Sequence, residues 1–155
     1  MWHEYIKLLS FLHMSKEKAL ICMMLLLCMG SPWCLRNTLN LTDTVTKVDF
    51  AIDGTYLAVT SISANAVYVY DTINYFKVFT YVPTSGTVMV ARFCRNSSIL
   101  AVGRSDGQVV LLNGKPPFSS TVLDQFQPDN NYDTIVDMDF SYGGDKLLVC
   151  FTNDN

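Results

Sequence analysis

VTKVDFAIDGTYLAVTSISANAVYVYD occupies residues 45–71, and the chain says it again. The second version, residues 88–113, is VMVARFCRNSSILAVGRSDGQVVLLN; the third starts at Ile135 and runs IVDMDFSYGGDKLLVCFTNDN. Phe50, Phe93 and Phe140 align as anchors. Two residues earlier each copy has an apolar residue (Val48, Ala91, Met138), and five earlier another (Val45, Val88, Ile135). Three after the anchor comes a turn: Asp53-Gly54, Asn96-Ser97, Gly143-Gly144. Then follows an apolar run: Leu57-Ala58-Val59, Leu100-Ala101-Val102, Leu147-Leu148-Val149.

Within each copy the pattern spells strands. Alternating apolar residues such as Val48 and Phe50 stop at an Asp-Gly type turn. The next run, residues 56–60 in the first copy, is nearly all apolar or small, which suits an inner strand covered on both faces. A third strand alternates again, with Val67 and Val69 opposed to Tyr68 and Tyr70, and residues 109–112 as its counterpart. The turn into it holds Asn65 in the first copy and Asp106-Gly107 in the second, residues that accept positive φ. More polar strands are expected over 75–82 and 120–126, and residues 39–41 as a strand before the first copy. Prolines 83, 116, 117 and 128 fall at loops or strand ends, where no ladder donor is lost. A period of about forty-odd residues is that of a four-stranded propeller blade. The expected fold is all-β: about two and a half antiparallel blades over 45–82, 88–126 and a truncated 135–155, behind an apolar leader helix.

Composition agrees. The chain has 14 acids and 11 basic residues. Removing Glu4 and Glu17, and Lys7, Lys16 and Lys18, leaves 12 Asp against 8 Lys and Arg from Leu35 onward. Acids that are all Asp favour turns over helix interiors. A net acidic domain without a basic, aromatic-laced patch disfavours nucleic acid as a partner.

Residues 1–34 read as a leader. Lys16 and Lys18 form a positive segment, residues 19–29 are uncharged and apolar, and Cys28 and Gly30 are small residues before a cut after Gly30. This is the pattern of a secretory signal peptide, opening at Met1 or Met14, and the run is short for a bilayer span. An uncleaved anchor or a short buried helix is the other reading. Under the first the domain at 35–155 is secreted or extracellular; under the second it is cytoplasmic, and an uncleaved leader is the sole membrane contact. Asn40-Leu41-Thr42 and Asn96-Ser97-Ser98 are N-glycosylation sequons. Cys34, Cys94 and Cys150 form no disulfide framework, and Cys94 and Cys150 are expected as small core residues.

No catalytic constellation emerges. The absence of histidine after His13 removes Ser-His-Asp and Cys-His systems and ordinary zinc sets. Asp129-x-Asn131-x-Asp133 imitates the start of a calcium loop, but Thr134 and Phe140 stand where Gly and Glu are needed. No cofactor is expected. Asp137 and Asp139 should be solvent-exposed, and Tyr68, Tyr70, Tyr75 and Tyr81 should pack between blades.

The residues V-x-x-V-x-F-x-x-D-G-x-x-L-A-V followed by V-Y-V-Y-D resemble the WD40 repeat family over most of residues 45–155. Tyr70-Asp71 stands where that family has Trp-Asp, and Leu112-Asn113 is the weaker counterpart. The stretch SANAVYVYDTINYFKVFTYV is also similar to the YVTN-type propeller repeat of secreted proteins. The resemblance marks Phe50, Asp53, Gly54, Tyr70, Asp71, Phe93, Asp106, Gly107 and Phe140 as repeat-defining. The family's Gly-His pair is replaced by Asn40-Leu41, Pro83-Thr84 and Asn130-Asn131, so its polar brace cannot form. The blades are then expected to rely on apolar packing and ladders alone. The resemblance implies a non-catalytic scaffold that binds other proteins, with further blades or a partner chain closing the propeller. The alternatives are a secreted YVTN-like propeller with enzymatic or cofactor-linked residues in other blades, or a truncated product without independent function.

Overall fold

The computed structural model describes residues 21–26, 34–127 and 133–152. The chain forms two compact units, Met1–Thr44 and Val45–Asn155. In the first, β1 (Ile21–Leu26) pairs antiparallel with β2 (Cys34–Asn40). The expected leader helix is thus a strand over Ile21–Leu26. The run ICMMLL has no polar face that would set a period of 3.6, and a short apolar run of this kind is equally a strand once a partner offers a ladder. The rest of the leader, and the calcium-like residues 129–131, lie outside the described residues.

The second unit contains only strands and turns among its described residues. β3 (Val45–Phe50), β4 (Tyr56–Ser61), β5 (Ala66–Asp71) and β6 (Lys77–Tyr81) form one antiparallel sheet in chain order. β7 (Val88–Phe93), β8 (Ile99–Arg104), β9 (Val109–Asn113) and β10 (Ser119–Phe126) form a second of the same topology, and β11 (Ile135–Phe140) pairs with β12 (Leu147–Phe151). The turns follow the residues that permit them: Gly54, Gly107 and Gly144 have φ near +70°, and Asn65 has φ 48°.

β4 and β8 are buried along almost their whole length, as expected of inner strands. Leu57, Val59, Leu100 and Val102 are essentially inaccessible. One core lies between the first and second sheets, with Ala58, Val67 and Val69 against Val88, Ala91 and Phe93. The other lies between the second and third, with Val90, Ala101 and Val109 against Ile135 and Met138. β10 is exposed almost throughout, and its pairing with β9 slips twice, between Ser119 and Val122 and between Val122 and Asp124.

The second core is tight at Gly103. A Cβ there would lie 2.7 Å from Ile135 Cγ2 and 3.0 Å from Val90 Cγ1. Gly103→Ala is therefore expected to overpack the junction and cost about 1–2 kcal/mol. Urea unfolding should show a lower midpoint at unchanged slope; an unchanged midpoint would mean that the two sheets can part freely.

Two expectations about burial change. Cys94 is buried but lies just past the end of β7, and Cys150, on β12, is exposed rather than in the core. Position 150 faces away from the second sheet because Val149 and Phe151, on either side of it, pack into the second core. Asp137 and Asp139 also part company: Asp139 is exposed, whereas Asp137 is held in ion pairs.

Candidate functional site

The innermost strands β3, β7 and β11 lie side by side, and the residue before each aromatic anchor is charged: Asp49, Arg92 and Asp139. On a strand this residue points away from the anchor's face. Asp49 therefore reaches from the first sheet to the second, where its Oδ2 accepts a hydrogen bond from the Phe93 backbone N–H at 2.8 Å. Arg92 reaches onward to the third: its Nε donates to the Met138 carbonyl at 2.8 Å and its Nη2 to Asp137 Oδ1 at 2.9 Å. A longer bond of 3.5 Å runs from Arg92 Nη1 back to the Val48 carbonyl. Lys47 completes the cluster, 3.2 Å from Asp137 Oδ2. Burial pushes the Asp49 carboxyl up to about 6, against the lowering effects of the Phe93 N–H and the Arg92 charge.

This cluster corrects the expectation that only packing and ladders join the sheets. Between the sheets a carboxylate, a guanidinium and backbone groups add hydrogen bonds to the apolar packing. The signal was present in the sequence, since the position before the anchor reads Asp, Arg, Asp, but a strand residue between two apolar ones is ordinarily read as solvated.

Further polar ties join neighbouring sheets at their ends. Asn65 Oδ1 accepts from the Val88 N–H at 2.9 Å, and its amide donates to the Gly86 carbonyl at 3.1 Å. Arg104, buried, donates to Ser85 Oγ at 2.7 Å and forms an ion pair with Asp106. That guanidinium holds the Asp106 carboxyl below its usual range. Thr134 Oγ1 donates to the Ser105 carbonyl at 3.1 Å.

At the other end of the sheets, the β3–β4, β5–β6, β7–β8 and β11–β12 turns gather. The first two are joined directly: Thr72 donates through its N–H to the Thr55 carbonyl at 3.0 Å and through its hydroxyl to the Gly54 carbonyl at 2.6 Å. Asp53 Oδ1 accepts from Thr55 N at 3.0 Å, and Asp71 Oδ1 from Ile73 N and Asn74 N, both at 2.8 Å. Such Asx bonds fix a loop without outside help. Asn96 donates to the Gly143 carbonyl and so ties the second turn to the third. Gly144 lies beneath Asn96 with φ +70°, a conformation that strains any residue with a Cβ. On these braced turns stand exposed apolar side chains: Ile52 61 %, Ile73 74 %, Phe76 71 % and Tyr142 81 % accessible.

The sequence-marked residues divide between the two ends. Asp53, Gly54, Asp71 and Asn96 belong to the apolar turn end; Asp106 and Gly107 to the opposite end. Phe93 and Tyr70 are buried, while Phe50 and Phe140 are partly so. Asn40 ends β2 in the other unit. Tyr81 lies in the first core and Tyr68 lies under the Lys77 ammonium, which is 4.7 Å from the ring centroid; Tyr75 sits in the β5–β6 turn with φ 61°. An aromatic contact unmarked in the sequence joins the sheets near their outer strands: Phe118 stacks on Phe79 at 5.6 Å and meets Tyr56 edge-on at 5.1 Å. Among the described residues no group of three or more His, Cys, Asp or Glu is placed to hold a metal.

The chain is similar to a chain in the crystal structure of a mitotic checkpoint complex, with a TM-score of 0.63 at 15% identity. The match covers 84% of this chain and 39% of that one. The fold is that of part of a β-propeller. At this identity the likeness fixes fold alone. In all, 373 solved chains match, a breadth that singles out no activity. No family model and no curated protein matches the sequence.

Proposed function

We propose that the chain is a non-catalytic interaction module of WD40-like type, which binds another protein through the turn end of its sheets. The observation that carries this reading is the set of large apolar side chains, Ile73, Phe76, Ile52 and Tyr142, held out on turns braced by their own hydrogen bonds. Exposed apolar groups scattered singly are ordinary, but a group of them at one end of rigid sheets suits a contact surface, because little ordering entropy is lost on binding. Because the chain spans 39% of the solved propeller chain, the partners of a whole propeller are part of the same proposal.

The test compares variants in cells that make the protein. Tagged chain carrying Ile73→Asp with Phe76→Asp should lose at least tenfold of the proteins that co-purify in a salt-resistant manner. Val82→Asp, exposed at the opposite end, should lose none. Equal retention by both variants would assign the binding elsewhere.

A further inference from the structure

The loop between β6 and β7 carries the chain from the first sheet to the second, and side chains from both sheets hold it. Asn65 donates to the Gly86 carbonyl at 3.1 Å and accepts from the Val88 N–H at 2.9 Å. Thr87 donates its N–H to Ser105 Oγ at 2.9 Å. Arg104 donates from Nη2 to Ser85 Oγ at 2.7 Å, with the Tyr81 hydroxyl as a further partner. The Arg104 contact differs in its chemistry. Ser85 is exposed, between exposed Thr84 and Gly86, whereas the guanidinium is 4% accessible. A surface hydroxyl thus sits directly on a positive charge withdrawn from water. Other loop hydroxyls point at oxygens: Thr55 and Ser141 donate to Asp53 and Asp145, and Thr72 to the Gly54 carbonyl. A dianion built on any of those three would meet negative atoms. On Ser85 it meets a guanidinium, whose planar fork matches the oxygens of a phosphate.

We propose that Ser85 is a phosphorylation site, and that its phosphate is held by Arg104 in exchange for Asp106. A protein kinase supplies the γ-phosphoryl group of ATP. The bond from the γ-phosphorus to the bridging oxygen breaks, one to Ser85 Oγ forms, ADP leaves, and the hydroxyl proton passes to the kinase's catalytic carboxylate. Asp106 occupies the fork in the unmodified chain: Arg104 Nε donates to its Oδ1 at 3.0 Å and Nη2 to its Oδ2, and Ser85 Oγ lies 3.5 Å from that Oδ2. A phosphoserine carries about −1.5 to −2 charges at pH 7, so it and the carboxylate repel each other over one guanidinium. Asp106 is 32% accessible and is the partner that can turn into water. Its departure also ends the 3.4 Å bond from the Gln108 N–H, so the β8–β9 turn loosens as the β6–β7 loop is clamped. The site lies at the end of the sheets opposite Ile73 and Phe76 and is independent of the reading of the turn end.

Protein is taken from the cells that make it, growing and starved, with phosphatase inhibitors present, and its peptides are read by mass spectrometry. The expected result is phosphate on Ser85 at an occupancy at least tenfold above that on the neighbouring hydroxyls Thr84 and Ser105. Absence of phosphate from Ser85 under both conditions overturns the proposal. The native phosphoprotein is then treated with alkaline phosphatase beside its own isolated phosphopeptide. Removal should be at least tenfold slower from the native chain. Arg104→Lys, which keeps the charge and loses the fork, should speed removal several-fold. Asp106→Asn, which weakens the competitor, should slow it. The second variant leaves the buried guanidinium in place and decides the matter if the first does not fold. Release at the wild-type rate from Asp106→Asn overturns the exchange of phosphate for carboxylate.

Discussion

Replacing Arg92 by Met is expected to cost about 1–3 kcal/mol, the range for losing hydrogen bonds of a charged group to partners that are in part exposed. The guanidinium is 15% accessible and binds Asp137 and the Met138 carbonyl at once. Met keeps much of the apolar stem and none of the donors, so the loss measures the bonds rather than a cavity. The Met138 carbonyl loses a charged donor beside the second core. Urea unfolding followed by fluorescence reads the change. Limited proteolysis should cut earliest around β11 and β12, which the Arg92 contacts tie to the rest. Lys47→Met is the comparison: Lys47 pairs with the same Asp137 but is 35% accessible, and its removal is expected to cost under about 1 kcal/mol. If both variants lose equally little, Arg92 is not the tie between the second and third sheets.

Asp49→Asn should act in the opposite direction and depend on pH. The carboxyl is raised from 3.8 to about 6, first by burial, which disfavours its charged form. A raised folded-state value means stability that is fully present below about 3.8 and lost as pH rises through about 6. At neutral pH the wild-type chain thus bears the cost of a buried charge. Asn is neutral, nearly isosteric, and its amide oxygen can still accept from the Phe93 N–H. The variant is expected to be more stable than wild type by on the order of 2 kcal/mol at pH 7.5, with the gap closing toward pH 4. Taking the difference between the two proteins at each pH removes the contribution of Asp106, which is lowered by Arg104 and loses stability on acidification. Asp49→Ala, which leaves the Phe93 N–H without its acceptor, should destabilise at both pH values. A gap that stays constant from pH 4 to 7.5 would show that the carboxyl is not held near 6.

The strands were legible because their pattern is local. Apolar alternation ending at Asp53-Gly54, Asp106-Gly107 or Gly143-Gly144 is written within a dozen residues, and the strands form between these turns. What was not legible depended on neighbours far along the chain. Cys150 stands where the first two copies have Thr60 and Gly103, both buried, and only its place on the third sheet leaves it exposed. Asp137 reads as solvated until Arg92, distant in sequence, arrives beside it. The run Ile21–Leu26 has no period of its own, and only its pairing with β2 makes it a strand. The apolar turn end was missed for a related reason: Ile73, Phe76 and Tyr142 are unremarkable singly, and only the sheet topology gathers them.

The alternation of charge along the inner strands also bears on how similar repeats find their places during folding. The three copies resemble one another closely enough that the β11–β12 hairpin has two look-alike surfaces to settle on, the row beginning at Asp49 and the row beginning at Arg92. On the first, Asp137 would approach another carboxylate; on the second it meets a guanidinium. Repeat proteins are prone to misassembly among near-identical units. Here Arg92 in the second copy and Asp137 in the third oppose the wrong order, an address that apolar packing alone could not supply.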